Sequence, residues 1–152
     1  MDKMEKILTD IKEKYLFDTV ALTDVECNRC HSIKWKYNIG STNDRWRKIE
    51  LRSGKGIPGI VMKTGKSLVV DAIERIEMDS DVFQYPMIKI ERLKSFIAMP
   101  LWNDTEEVIG IVLLGNRQVR YFPQKEYEEI KEYIEKHLRQ QILKELVANE
   151  GS

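Results

Sequence analysis

The chain lacks a net charge: 25 basic residues are balanced by 25 acidic ones. A balanced chain sets up no field to gather phosphates, so nucleic acid is not an expected partner. It also lacks a long apolar run. The longest, Val108 to Leu114, falls far short of the roughly 20 residues that span a bilayer. Met1 to Lys6 is charged and helical in pattern, without the apolar centre of an export signal. A cytoplasmic protein with no membrane segment is therefore expected. Histidines are scarce, only His31 and His137, and neither has a serine partner at diagnostic spacing, so no catalytic triad is readable. There are no internal repeats and no low-complexity tracts. The 152 residues suffice for one domain, residues 1–150, with a real core.

What is present is a clear succession of periodicities. Met4, Ile7, Leu8, Ile11 and Tyr15 recur at helical spacing among charged residues and predict a first amphipathic helix. Phe17 to Val25 reads as a strand. Ser32 to Ile39 sets Ile33, Trp35, Tyr37 and Ile39 against Lys34, Lys36 and Asn38, the period of two expected of a half-buried strand. The two strands predict a hairpin. Asn43 to Arg47 reads as a loop or short helical turn, and Ser67 to Val70 as a short strand. Ser95 to Trp102 and Val108 to Asn116 are the strongest strand signals, joined through Asn103, Asp104 and Thr105, which suit a turn. Pro123 opens a long last helix with Ile130, Ile134, Leu138, Ile142 and Leu146 as its stripe. Tyr127, Tyr133 and Leu143 widen that stripe.

The richest segment runs from Leu51 to Lys66. Glycines 54, 56 and 59 make a turn, Pro58 stands where a helix would begin, and Gly65 closes it. Proline near the start and glycine past the end is the asymmetry of a short helix. Its first turn carries free N–H groups and the positive end of the dipole, so an anion can approach the backbone there. Between Asp71 and Leu93 the pattern is irregular, with an acidic run and then Phe83 to Ile88. A connection of that length is usually functional.

Helix, two strands, glycine corner with helix, strand, excursion, two strands and helix make an α+β domain. Its centre is a mostly antiparallel five- to six-stranded sheet, with the terminal helices on one face and a ligand pocket on the other.

This order resembles the GAF domain, a sensory module related to PAS domains. The resemblance rests on Gly54-Lys-Gly-Ile-Pro-Gly59, Thr64-Gly-Lys-Ser67, Ser95 to Leu101 and Val108 to Leu114. Ile33 to Tyr37, Asn43 to Arg52 and Phe83 to Ile88 further resemble the stand-alone nitrate-receptor GAF proteins of the nitrogen-regulation (Nre) system, which partner an oxygen-sensing histidine kinase. That resemblance implies a nitrate or similar small-anion site at Trp35, Ile57, Pro58, Tyr85, Pro86 and Met87. It implies no catalytic residue, cofactor or metal. Pro58 departs from the family, where a small residue is usual. Proline has no N–H, so the corner's donors fall to Ile57, or to Gly59 and Ile60. Ligand is expected to draw Tyr85 to Met87 against the glycine corner and to alter the surface offered to a sensor histidine kinase. Paired terminal helices, and hence a homodimer, are also implied.

A competing chemistry is written in Cys27-Asn-Arg-Cys30-His31, the attachment pattern of c-type haem. Haem attachment normally occurs outside the cytoplasm, and no second axial ligand is evident beyond His137 or a methionine. A metal clip would want four ligands, and His137 is the one further histidine. A thiol redox enzyme or sensor using Cys27 and Cys30 is the alternative reading, similar to the GAF-type reductase of free methionine sulfoxide. That family, however, places a cysteine inside the glycine corner, where this chain has proline.

Overall fold

The computed structural model describes residues 2–23, 32–52, 56–75 and 86–150. Among them the chain runs α1 (Lys3–Lys14), β1 (Thr19–Thr23), β2 (Ser32–Ile39), β3 (Glu50–Arg52), α2 (Gly56–Thr64), β4 (Leu68–Val70), α3 (Pro86–Glu91), β5 (Ser95–Trp102), β6 (Val108–Asn116), α4 (Gln124–Tyr133) and α5 (Gln140–Glu150). A π-helical stretch, Ile134–Arg139, joins the last two helices, and short 3-10 turns lie at Arg45–Lys48 and Ile73–Arg75. No helix of the described residues is long and apolar enough to cross a membrane.

The strands form one antiparallel six-stranded sheet in the order β3-β2-β1-β6-β5-β4. Both margins are short, three residues each in β3 and β4. The long central strands bury residues on both faces, and β5 shows how. Ile97, Met99 and Leu101 join one apolar cluster, while Phe96 and Ala98 join the other. The first cluster receives Met4, Leu8 and Ile11 from α1 and Ile130, Ile134, Leu138 and Ile142 from the last helix. The second is covered by α2, α3 and the turns that contribute Trp46 and Ile73. Terminal helices on one face and the glycine corner on the other is the expected architecture.

Two β-bulges redirect side chains where simple alternation predicts otherwise. Opposite β1, the pairing passes from Leu22 with Tyr37 to Thr23 with Trp35, so Lys36 is the extra residue. Trp35 therefore faces the α2 and α3 layer, whereas Tyr37 and Ile39 pack on the terminal-helix layer. The single face read for Ile33, Trp35, Tyr37 and Ile39 is corrected on this point. In β6 the pairing skips Ile109, between Leu101 with Gly110 and Trp102 with Val108. Ile109 then joins the terminal-helix cluster, while Ile111, two residues on, joins the other.

The helix ends follow from local chemistry. The Asp2 carboxylate accepts from Glu5 N–H at 2.7 Å and caps α1. Leu16 then takes φ +60° and Phe17 N–H bonds back to the Lys12 carbonyl, a Schellman closure built on leucine. α2 starts at Gly56, two residues before Pro58, and ends on Gly65 at φ +68°, whose N–H bonds to the Val61 carbonyl. The π stretch has a sequence cause. Ile130, Ile134, Leu138 and Ile142 are spaced by four, and in an ideal α-helix each such step drifts by about 40°. Wider i→i+5 turns underwind the helix and keep all four inside, each 1% exposed or less. Tyr127, Tyr133, Leu143 and Leu146 are partly buried against the same layer, which leaves Val147 as the exposed apolar residue of that stripe.

Candidate functional site

The face opposite the terminal helices gathers most of the residues singled out in the sequence. Trp35 comes from β2, turned inward by the bulge at Lys36. Ile57 comes from the first turn of α2, and Met87 from the first turn of α3. All three are buried in one cluster with Trp46, Ile49, Val61 and Ile88. Pro58 is buried beside Ile57, and Pro86, half-buried, opens α3. Tyr85 lies outside the described residues, as do Cys27, Cys30 and His31.

The polar equipment of this face is sparse and specific. The indole Nε1 of Trp35 is buried and has no hydrogen-bond partner among the described residues. Such a donor costs about 1–3 kcal/mol when unpaired, so its persistence in a core otherwise fit for Phe needs a reason. The start of α2 contributes backbone donors. The first four N–H groups of a helix have no intrahelical acceptor, and Pro58 has no N–H. With the helix beginning at Gly56, its fourth residue, Gly59, is the first to enter the i→i−4 ladder, as Lys6 does in α1 and Tyr127 in α4, so the free donors of the described turn are Gly56 and Ile57. Gly56 sits at φ +66°, where a side chain would be strained. Donors at the positive end of a nine-residue helix whose Ile57 shares a cluster with Trp35 suit a small anion rather than a cation.

Two residues of this face were not singled out by sequence reasoning. Trp46 is 5% exposed and closes the cluster from the 3-10 turn Arg45–Lys48, with the Arg47 guanidinium 4.7 Å from its ring centroid. Its neighbours Asp44, Arg45, Arg47 and Lys48 give no periodicity by which it could be placed. Glu91 is fully buried at the end of α3. Its Oε1 accepts from Ser41 Oγ at 2.7 Å and its Oε2 from Asn38 Nδ2 at 3.4 Å, with Arg117 Nη2 3.6 Å away. Arg117 Nε donates to the Glu91 carbonyl at 2.9 Å and its Nη2 to the Gly40 carbonyl. Asn38 in turn accepts from the Thr19 hydroxyl. Nothing short-range in the sequence pairs Glu91 with an arginine 26 residues later.

Elsewhere, a surface groove of about 580 Å³ runs along Leu16, Asp18, Asn116, Arg117, Val119 and Arg120. On the terminal helices, Tyr15 and Tyr133 meet edge to face at 5.6 Å, with Lys14 Nζ near both rings. Burial, and then the neighbouring Tyr133, Glu129 and Glu132, push the Tyr15 phenol above its ordinary range.

No family model and no curated protein matches this sequence. Solved structures do. A hypothetical protein of S. aureus is 33% identical, with a TM-score of 0.71, over 81% of this chain and 99% of its own. An NreA protein of Staphylococcus aureus, mutated in its nitrate binding site, is also 33% identical, with a TM-score of 0.70, over 80% of this chain and 88% of its own. The GAF domain of a two-component sensor histidine kinase from Bacillus halodurans aligns over 97% of both chains with a TM-score of 0.69, and at 15% identity that likeness concerns the fold.

Proposed function

The chain belongs to the NreA family of GAF domains, and on that premise we propose that it is a reversible receptor for a small anion, nitrate foremost, rather than an enzyme. The observation that carries this reading is the buried, unpartnered Nε1 of Trp35, in one cluster with the first turns of α2 and α3. Nitrate is planar, singly charged and weakly hydrated. It accepts hydrogen bonds in its plane and does not demand a full counter-charge.

The magnitudes suit a sensor. A hydrogen bond to a charged group contributes about 1.5–3 kcal/mol, and a helix dipole about 0.3–1 kcal/mol, or up to about 2 when partly buried. Two or three such contacts with a dipole total roughly 3–11 kcal/mol before the cost of immobilising the ion is subtracted, which leaves dissociation constants in the millimolar-to-micromolar range. Binding of that strength is reversible at metabolic concentrations. The partner in this reading is a sensor histidine kinase, and the setting is cytoplasmic two-component signalling of nitrogen supply. The terminal helices would supply a homodimer contact. Occupancy acts by population shift: the anion strengthens the contact of α3 with α2, and the altered surface favours or releases the kinase. A ligand shifts such an equilibrium only through its differential affinity for the two forms.

Calorimetric titration of the anion-free protein with nitrate tests the proposal, with chloride, sulfate and nitrite as controls. Saturable binding selective for nitrate, absent in Trp35→Ala and retained when Cys27 and Cys30 are both changed to serine, is the expected result. Silence toward every anion refutes the receptor reading, and binding lost with the cysteines transfers the function to the thiols.

A further inference from the structure

We infer that Glu91 is a positioning residue: its buried carboxylate pins α3 to the sheet and so sets the affinity of the anion site. The inference rests on the receptor reading for its effect on binding, and on geometry alone for the pinning.

α3 has only six residues and would not hold its shape in isolation. One face of it is buried. Met87 and Ile88 from its first turn enter the apolar cluster, and Glu91, one turn later on the same face, enters a polar one. Met87 and Glu91 are therefore coupled by the rigid turn between them. Turning α3 by a single residue would rotate it by roughly 100°, withdrawing Met87 from the cluster it shares with Trp35 and Ile57 and taking Glu91 off its partners.

An apolar side chain at position 91 would meet the need for burial but not for register, because apolar contacts are non-directional. The carboxylate is directional. It takes one donor from Ser41 beyond β2 and one from Asn38 within β2, and it faces the guanidinium of Arg117 beyond β6. Arg117 also holds the Glu91 carbonyl, and Asn43 Nδ2 holds that of Ile90, so the C-terminal carbonyls of α3 are tied to the same elements. A negative side chain at the C-terminal end of a helix opposes the dipole, and a fully buried charge is costly. Both costs argue that the acid is kept for placement rather than for stability. The closure beyond it agrees: Arg92 takes φ +55° and Leu93 N–H returns to the Ile88 carbonyl, which stops the helix one residue after the pin.

The decisive variant is Glu91→Gln, which keeps the size and the acceptor for Ser41 but removes the charge facing Arg117. Amide hydrogen exchange of residues 86–93 and nitrate affinity are measured together, on the full chain. Exchange at 86–93 is expected to accelerate at least tenfold with β5 and β6 unchanged, and the dissociation constant to rise about tenfold. Ser41→Ala, at a half-buried position, should show the same pattern more weakly and serves if Glu91→Gln does not fold. Unchanged exchange at 86–93 in both variants overturns the pinning. Faster exchange with unaltered nitrate affinity overturns the link to the site. If the wild type takes up no nitrate yet exchange at 86–93 still depends on Glu91, the pin is upheld and the receptor reading alone falls.

Discussion

The two faces of the sheet solve the same burial problem in opposite ways. The terminal-helix face is built on a large apolar cluster: Met4, Leu8, Ile11, Ile130, Ile134, Leu138 and Ile142 are closed against Val20, Ile97 and Val112. Its buried polar residues by strand alternation, Ser95 and Asn116, sit together at the paired ends of β5 and β6. The other face buries Trp35 Nε1 without an acceptor among the described residues and Glu91 without exposure, and it rests on two short helices and two 3-10 turns. On the proposed reading, the difference separates stability from function. One layer packs the sheet against long helices; the other holds the unpaired indole and the buried carboxylate, a cost that the proposed receptor reading explains by what they bind or place. β2 serves both, because the bulge at Lys36 sends Trp35 one way and Tyr37 the other.

Breaking the first face should produce the largest effect. Ile134→Ala is expected to lower stability by about 2–5 kcal/mol, since the packed layer cannot collapse into the cavity. Denaturant unfolding measures this, and nitrate affinity of the folded fraction should stay within twofold. A loss of affinity matching the loss of stability would abolish the division between faces.

The second face should respond in the reverse sense. Trp35→Phe retains an aromatic ring but deletes the N–H. The lost ring volume destabilises, while removal of an unpaired buried donor restores about 1–3 kcal/mol, so net stability should remain within about 1 kcal/mol of wild type. Nitrate affinity should fall by about tenfold or more, the worth of one hydrogen bond to a charged group. Full affinity in Trp35→Phe would remove the indole from the site.

The smallest expected effect sharpens the comparison at the helix surface. The Tyr15 phenol is raised in the folded protein, so the fold favours its protonated form. That contribution is complete below the ordinary tyrosine range near pH 10 and is lost as pH rises through the folded value. Thermal midpoints between pH 9 and 11.5 should fall less steeply in Tyr15→Phe than in wild type. Parallel curves would show that the phenol carries none of the alkaline sensitivity.

Much of this arrangement is legible in the sequence, for definite reasons. Helical spacing from Met4 to Tyr15 gives α1, and apolar density bounded by turn residues gives β5 and β6 to the residue. The glycine corner gives α2, displaced by two residues because Gly56 at positive φ, rather than Pro58, makes the turn. The bulges escape, since Lys36 and Ile109 look like ordinary members of alternating strands and their displacement is decided by partner strands far along the chain. The π stretch was readable in principle from a four-residue spacing too strict for an α-helix. In the site, Trp35, Ile57 and Met87 were reached through the family resemblance and share one cluster. Glu91 was not reached, because an acid beside Arg92 in an irregular segment looks solvated until the fold closes over it.

The short margins of the sheet carry a last consequence, for association. A sheet edge is a template for another strand, and long flat edges invite aggregation or donated strands. Here β3 and β4 each offer three residues. Where β4 stops opposite Ala98, β5 continues into Pro100, which has no N–H to offer. Where β3 stops opposite Lys34, β2 enters its bulge at Lys36, which twists the strand and sets an exposed lysine there. Among the described residues, neither margin is a docking rail. A partner of the kind proposed would find, in the described residues, helices and turns to contact rather than a strand to extend.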